Sequence, residues 1–165
     1  MGFGLAKPME WAPCKVFVGR VTLGENKGMH AMKRECHGSG KPWEAVAGYS
    51  RVIRVGNHVH VTGTVAANDK GEALFPGDPG AQAEHILAMI ETYLAKVGAA
   101  MHHVVRTRIY VTDITQWEAV GSAHGKRFSQ IRPVTTMVEV SGLIGPDFTV
   151  EIEAEAIIHD AAELA

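Results

Sequence analysis

The carboxyl-terminal third of the sequence alternates apolar and polar residues with a period of two. Residues 135–140 and 148–158 therefore predict two strands, joined by a loop rich in glycine and proline. Carboxylates two residues apart lie about 7 Å from each other along a strand, and they repel one another unless water or cations stand beside them. We therefore look for chemistry on the acidic face of the second strand. Its apolar face consists of Val150, Ile152, Ala154 and Ala156, and its polar face of Thr149, Glu151, Glu153 and Glu155.

The size and charge of the chain limit the classes of protein to which it can belong. A chain of 165 residues, of which 46% are hydrophobic, is long enough to bury one ordinary core. Its 16 Lys and Arg nearly balance its 18 Asp and Glu, which leaves no electrostatic basis for binding nucleic acid or an anionic membrane. The sequence lacks an apolar run of roughly 18 residues and the basic-then-apolar order of a signal peptide. We expect a soluble, cytoplasmic single domain without a nucleic-acid or membrane partner.

The cysteines and histidines do not predict a metal site. Cys14 and Cys36 are too few for a disulfide framework or a four-ligand zinc site, and we expect free thiols in a reducing cytosol. His58 and His60 share one face of a predicted strand, but the spacing places no third ligand near them. A glycine-rich phosphate loop is also missing from the sequence. We therefore expect neither a metal nor a bound cofactor.

The first 41 residues differ from the remainder of the chain. They are rich in glycine and show no helical periodicity, although residues 16–23 are compatible with one short strand. Met32 would serve as an alternative first residue. We therefore divide the chain into an N-terminal extension and lead-in segment, residues 1–41, and a domain, residues 42–160. Our hypothesis is that residues 1–31 are an extension outside the core fold.

The middle of the chain predicts a hairpin followed by a long helix. Residues 51–55 and 58–64 both alternate, and the Gly-Asn pair between them is typical of a tight β-hairpin turn. Asp78 is a good N-cap for a helix, and Gly98 suits its carboxyl-terminal stop. Apolar residues at spacings of three and four predict the buried stripe of this helix: Ala83, Ile86, Leu87, Ile90, Leu94 and Val97.

A further strand and a second helix follow. Residues 104–112 alternate and predict a strand. Thr115 and Glu118 have the spacing of a capping box, so we expect a helix that begins there and ends near Phe128. The residues expected to face the core are Val105, Thr107, Ile109 and Val111 of the strand and Trp117, Val120, His124 and Phe128 of the helix.

The predicted order β-β-α-β-α-β-β is that of an α+β protein with a mixed sheet. Strands joined through single helices make right-handed crossovers, which place both helices on the same face of the sheet. The opposite face is then either a subunit interface, which we favour, or a solvated surface with cross-strand ion pairs. That face is predicted to carry Arg106, Arg108 and Tyr110 beside Glu151, Glu153 and Glu155, with Met137 between them.

Three stretches of the sequence carry a resemblance to a known family. They are GYSRVIRVGNHVHVTGTVA (48–66), VVRTRIYVTDITQWEAVGSAH (104–124), and RPVTTMVEVSGL together with VEIEAEAI (132–157). Together they resemble the Rid family, also called the YjgF-type family. The resemblance implies a chorismate-mutase-like α+β fold and a homotrimer with three clefts between its subunits. It also implies hydrolysis of 2-imino acids and their enamine tautomers to 2-oxo acids and ammonia, without metal or coenzyme, although some members are described as endoribonucleases.

The resemblance assigns candidate site residues by position. The family's cleft tyrosine corresponds to Tyr49, and its Ser-Gly strand end corresponds to Thr62 and Gly63. The glutamate near the attacking water corresponds to Glu151. A partly desolvated glutamate has a raised pKa and can act as a general base on water. We therefore expect Tyr49, Thr62 and Gly63 to bind substrate and Glu151 to be catalytic.

Three positions depart from the family pattern, one of which is a helix asparagine that corresponds to Gly121 here. Where active members carry the arginine that clamps the substrate carboxylate, this chain has Thr135, and the cysteine or serine two residues later is Met137. Loss of a bidentate guanidinium removes a charge-assisted pair worth about 1.5–3 kcal/mol. We expect Thr135 and Met137 to line the cleft and Arg108 or Arg132 to meet an anionic ligand. For Arg108, an ion pair with a glutamate is the simpler alternative.

Three functions are compatible with these residues. The first is a hydrolase or deaminase of imine, enamine or related amine-bearing metabolites with altered specificity, in which Glu151 and Thr135 are catalytic. The second is a non-catalytic metabolite-binding or chaperone-like trimer that uses the same cleft for a small, anionic ligand. The third is an endoribonuclease, which the acidic balance and the lack of a basic stripe disfavour.

Overall fold

A computed structural model describes residues 32–159, which form one mixed β-sheet with helices packed on it. The strands are β1 (Arg34–His37), β2 (Val52–Val55), β3 (His58–Val65), β4 (Val104–Val111), β5 (Val134–Glu139) and β6 (Val150–Ile157). The helices are α1 (Pro42–Ala47), α2 (Pro79–Lys96) and α3 (Trp117–Phe128). Within this range the sheet order is β1-β2-β3-β6-β4-β5, in which β4 and β5 are parallel and the other neighbours are antiparallel.

The core lies between the sheet and the packed pair of helices α2 and α3. The predicted ends of α2 are confirmed: the Asp78 carboxylate accepts a hydrogen bond from the Ala81 amide at 2.9 Å, and Gly98 adopts a φ of +75°. Complete burial of a leucine or isoleucine side chain contributes about 1.5–3 kcal/mol. The predicted apolar stripe is buried throughout: Ala83, Ile86, Leu87, Ile90, Leu94 and Val97.

The start of α3 differs from the predicted capping box. Asp113 takes the capping role, because its carboxylate accepts from the Thr115 amide at 2.9 Å and from the Thr115 hydroxyl at 2.6 Å. One 3₁₀ turn follows, so the α-helix begins at Trp117. Trp117 is 55% exposed and does not face the core, contrary to the prediction. The prediction holds for Val120 and Phe128, which are buried.

The ladders of β4 correct two predicted side-chain positions. The pairing of β4 with β6 shifts between Val104 and Arg106, so Val104 is buried and Val105 is exposed. On β5, Met137 lies beside the buried Ile109 in the parallel ladder and packs against the core. The prediction that Met137 lies on the open face of the sheet is therefore wrong.

The alternation predicted for β6 is confirmed. Its four apolar residues from Val150 to Ala156 are buried, and the glutamates between them are only partly exposed. The pattern arises because one face of β6 packs against α2 and the other faces away from the helices. The acidic face therefore lies where the sequence placed it.

The strand β1 extends the sheet beyond β2. It pairs antiparallel with β2, and Cys36 stands opposite Ile53. Cys36 is disulfide-bonded, so the expectation of a free thiol is wrong at this position. β1 falls within the segment that the sequence assigned as a lead-in. Residues 1–31, including the strand suggested at 16–23, lie outside the described residues.

The predicted α+β class, with a mixed sheet and two long helices on one face, is confirmed. The short helix α1 was not predicted. Its left-handed stop at Gly48, with a φ of +69°, needs the freedom of glycine. None of the helices among residues 32–159 is long and apolar enough to cross a membrane.

We propose that the folded unit begins between residues 32 and 40. Glu44 is 1% exposed, and its carboxylate accepts hydrogen bonds from the Ser39 amide and hydroxyl and from the Gly40 amide. A chain that starts at Met32 keeps these donors and β1. It lacks Cys14, the other cysteine of the sequence, so Cys36 becomes a free thiol, and the chain should still unfold cooperatively in urea. A chain that starts at Lys41 leaves a buried carboxylate unpaired and should lose about 3 kcal/mol or more. Failure of the Met32 chain to fold would show that residues 1–31 belong to the core.

Candidate functional site

An open cavity of about 730 Å³ lies between α1, β3, β6 and the loop before β6, and we call it the Glu151 cavity. Its walls combine aromatic and aliphatic side chains with a few polar groups. Four of the predicted site residues, Tyr49, Thr62, Gly63 and Glu151, lie together there in a single chain. The lining residues are Trp43, Val46, Ala47, Tyr49, Arg51, Thr62, Gly63, Val65, Gly142, Leu143, Ile144 and Glu151.

A bulge in β3 shapes the floor of this cavity. In the ladder between β3 and β6, Val61 pairs with Ala154 and Thr64 pairs with Ile152, so three steps on β3 match two on β6. A bulge of this kind bends the strand and redirects side chains. Gly63 lies in the bulge, next to Glu151.

Gly63 is required for the position of the Glu151 carboxylate. A Cβ atom built at residue 63 would overlap Glu151 Oε1, so any larger residue would displace the carboxylate. The backbone φ of Gly63 is outside the left-handed region, and the restriction is therefore one of space. The glycine of the Thr62-Gly63 pair is explained by this close approach.

The carboxyl group of Glu151 lies half-buried, without a hydrogen bond or ion pair to residues 32–159. Burial raises the pKa of Glu151 above the usual range for glutamate. The positive charge of Arg51 lowers this pKa by a smaller amount, and the negative charge of Glu153 raises it further. A carboxyl group with a raised pKa at the wall of a cavity is suited to exchange protons with a bound molecule.

Arg51 lines the same cavity and was not among the predicted site residues. Its side chain is 8% exposed, and its Nη2 donates to the Gly63 carbonyl at 3.1 Å and to the Thr64 hydroxyl at 2.9 Å. Its Nη1 donates to the Tyr49 hydroxyl at 3.3 Å. The guanidinium carbon also lies 5.5 Å from the ring centre of Tyr93. Arg51 thus joins the bulge of β3 to the cavity wall.

The hairpin register could have located Arg51 from the sequence. The two-residue turn puts Val52 opposite Val61, and the Thr62 amide donates to the Arg51 carbonyl at 3.0 Å. Counting back from the turn therefore places Arg51 beside Thr62, which was already a candidate. The direction of the arginine side chain depends on the bulge, for which the signal in the sequence is the isolated Gly63 within a strand pattern.

Thr135 lies away from the Glu151 cavity in the single chain. Its hydroxyl is 2.8 Å from the hydroxyl of the buried Thr107 and 3.4 Å from His124 Nε2. Thr107 in turn lies 3.0 Å from the same imidazole nitrogen. Burial lowers the pKa of His124 and favours the neutral ring that such a network requires. Within one protomer, neither Thr135 nor the core-packed Met137 reaches Glu151.

Arg108 forms ion pairs with the acidic face of β6. Its Nη1 lies 2.9 Å from Glu153 and its Nη2 lies 3.0 Å from Glu155. The Tyr110 hydroxyl donates to the same Glu153 oxygen at 3.1 Å. The expected anion contact for Arg108 is thus replaced by the simpler alternative, ion pairing. These partly exposed groups balance the repulsion between neighbouring carboxylates.

Arg132 borders a different and shallower cavity. Its backbone φ is +55°, and it lies beside His124 and Phe128 in an opening of about 320 Å³. The candidates Arg108 and Arg132 are therefore both outside the lining of the Glu151 cavity. Within residues 32–159 no group of three His, Cys, Asp or Glu side chains is arranged to hold a metal ion.

Comparison with known proteins places the chain in a family. The model described as Endoribonuclease L-PSP matches residues 40–158. The chain belongs to this family. The resemblance to the Rid, or YjgF-type, family is thereby confirmed.

Relatives with solved structures and with named activities support the same assignment. A YjgF/YER057c/UK114 family structure from Mycobacterium tuberculosis is 46% identical, with a TM-score of 0.69 and coverage of 76% of this chain and 99% of that one. An uncharacterised protein of Streptomyces coelicolor is 37% identical over 119 residues, which are 72% of this chain and 87% of that protein. The 3-aminoacrylate deaminase RutC of Acinetobacter baylyi is 28% identical over 111 residues, which are 67% of this chain and 87% of that protein.

Substitution of Gly63 tests the geometry of the cavity floor. In Gly63→Ala the new Cβ atom pushes the Glu151 carboxylate toward solvent, so the pKa of Glu151 should fall toward its usual range. Because only the end of a flexible side chain moves, the cost in unfolding free energy should stay near about 1 kcal/mol. A ¹³C NMR titration of the Glu151 carboxyl group measures the change.

Gly125→Ala in α3 is the matched control, because a Cβ atom there meets no neighbour within 4 Å. This variant should leave the titration of Glu151 unchanged and should be neutral or slightly stabilising. An unchanged Glu151 titration in Gly63→Ala would contradict the close approach of these two residues.

Proposed function

We propose that the Glu151 cavity binds a small imine or enamine metabolite and that Glu151 promotes its hydrolysis to a carbonyl compound and ammonia. The observation that carries the proposal is a half-buried carboxyl group with a raised pKa and no partner among residues 32–159, at the wall of a cavity large enough for such a ligand. The similarity to a 3-aminoacrylate deaminase supports this class of reaction.

In the proposed reaction Glu151 acts as a general base. The substrate reacts as the protonated imine: the carboxylate accepts a proton from water while the water oxygen forms a bond to the imine carbon and the electron pair of the C=N bond moves to nitrogen. The carbinolamine that results then loses its C–N bond. Glu151 returns its proton to the departing nitrogen, and the hydroxyl group gives its own proton back to the Glu151 carboxylate as the C=O group forms, so that ammonia and a carbonyl compound are the products. An enamine would first be protonated at carbon to give the imine.

We further propose that the protein acts as a homotrimer in which a neighbouring copy closes the cavity. The edge strand β5 has no partner on its outer side within the described sheet. Its residues Val134 and Val138 are 61% and 41% exposed, which is typical of a surface that another chain covers. In this assembly the exposed Thr135 would approach the ligand from the adjacent subunit, as the family resemblance implies, whereas Met137 packs against the core of its own chain.

The second candidate function is non-catalytic binding of a metabolite in the same cavity. The observation that favours it concerns Thr135, which stands where active family members carry an arginine. Its hydroxyl is in hydrogen-bond contact with Thr107 and His124. The trimer would then bind the metabolite without converting it. RNA cleavage, which the family description names, is disfavoured by the net charge of −2.

Ammonia release distinguishes the two functions. Imines generated in place by an amino-acid oxidase should be hydrolysed faster with the protein present, and Glu151→Gln should lower kcat/KM by about 100-fold or more. Glu153→Gln is the matched control, because it removes a neighbouring carboxylate that is paired with Arg108. Equal rates with wild type, Glu151→Gln and buffer would favour the binding function.

The pH dependence of the reaction follows from the raised pKa of Glu151. A general base works only when it is ionised, so kcat/KM should fall as the pH falls through this pKa. The midpoint of that acidic limb should lie above the usual pKa range of glutamate, because burial of the carboxyl group is the largest influence on the pKa of Glu151 and raises it. After correction for uncatalysed hydrolysis, a profile without such a limb, or one retained in Glu151→Gln, would contradict the assigned role.

A further inference from the structure

Among residues 32–159, Arg51 is a buried cation that no carboxylate contacts. Its side chain is 8% exposed, and no carboxylate of residues 32–159 lies within 4.0 Å of its guanidinium. By contrast, Arg108 is paired with two glutamates. A buried charge that meets only neutral acceptors is destabilising compared with one that meets an anion. The fold therefore maintains, at the wall of the Glu151 cavity, a positive charge that acts on Glu151 from a distance but that no carboxylate of residues 32–159 contacts.

The hydrogen bonds of Arg51 leave donor capacity. Nη2 is occupied by the Gly63 carbonyl and the Thr64 hydroxyl, whereas Nη1 has only the Tyr49 hydroxyl as a partner at 3.3 Å. Nε is buried and has no partner in the part of the chain that the structure describes. Both Arg51 and Tyr49 line the cavity. One guanidinium N–H and one phenol hydroxyl are thus available to an anionic group.

Another part of the cavity lining is apolar. Trp43 is 36% exposed, and Val46 and Ile144 are 88% and 68% exposed, with Leu143 beside them. Large apolar side chains that remain exposed around a cavity are typical of a surface that a ligand or partner covers. A ligand that contacted both Arg51 and these apolar side chains would have one anionic end and an apolar body.

We propose that Arg51 anchors the carboxylate of a small carboxylic acid whose apolar substituent lies against Trp43, Val46 and Ile144. The anchor comes from the chain that supplies Glu151, and it provides the cation that position 135 lacks. The proposal rests on the proposed function for the identity of the cavity as a ligand site. It adds the residue that recognises the carboxylate and the apolar contact for the substituent, within the 2-imino and 2-oxo acids that the family resemblance already implies.

Comparison of a charged and a neutral ligand of the same shape tests this assignment. Isothermal titration calorimetry with 2-oxobutanoate and 2-oxobutanamide requires no turnover. Wild type should bind the carboxylate about 10- to 100-fold more tightly than the amide, as expected for a charge-assisted contact. In Arg51→Gln, whose amide can still donate to Gly63 or Thr64, the preference should fall below about threefold. Arg108→Gln, which removes a guanidinium outside the cavity, should retain it.

The outcomes separate an anchor from a merely structural arginine. If Arg51 only supports the bulge, Arg51→Gln weakens both ligands equally and the preference remains, which overturns the proposal. A wild-type protein without preference, or loss of preference in Arg108→Gln, overturns it as well. If Arg51→Gln does not fold, NMR of wild type decides. The Arg51 side-chain N–H resonances should shift with the carboxylate and not with the amide, and the absence of this difference overturns the proposal.

A ligand series tests the apolar part of the assignment. From pyruvate to 2-oxobutanoate to 4-methyl-2-oxopentanoate, affinity should rise about fourfold for each buried methylene group. A flat series would overturn the apolar contact. These binding results are independent of catalysis. A carboxylate preference that depends on Arg51, together with no ammonia release, would retain this inference and reject the hydrolase.

Discussion

The guanidinium of Arg51 bridges the bulge in β3, and the candidate site depends on this bridge. It joins the Gly63 carbonyl and the Thr64 hydroxyl to the Tyr49 ring and hydroxyl. Charge-assisted hydrogen bonds of this kind contribute more than neutral ones and fix the geometry of the groups they join. Because the bulge is held in this way, the Glu151 carboxylate fits over Gly63 at the wall of an open cavity. One arginine thus links the local backbone irregularity to the chemistry of the site.

The regular part of the fold could be predicted from the sequence because strict patterns fix it. Alternation identified the buried and acidic faces of β6, and the Asp78 cap and Gly98 stop identified α2. The predictions failed where a local competitor intervened. Asp113 caps the start of the helical segment in place of Thr115. A one-residue shift in the pairing of β4 buries Val104 where Val105 was expected. Such shifts depend on how strands pair, which no single segment records.

The candidate site was predicted only in part, for the same physical reason. Tyr49, Thr62, Gly63 and Glu151 were correctly grouped in one cavity by their correspondence to family positions. Arg51 was missed because its side-chain direction follows from the bulge. The arginines that were favoured proved to be engaged or remote: Arg108 pairs with glutamates, and Arg132 lies beside His124. The arginine that lines the cavity of this protein is therefore identified from strand register and three-dimensional contacts.

A structure of the protein with 2-oxobutanoate bound tests the central claim most directly, because it shows where a small carboxylate rests. The account predicts density in the Glu151 cavity, with the ligand carboxylate within hydrogen-bond distance of Arg51 and Tyr49 and the ligand C2 atom beside the Glu151 carboxylate. Density only at another place, such as the opening beside Arg132, with the Glu151 cavity empty at saturating ligand, would contradict it.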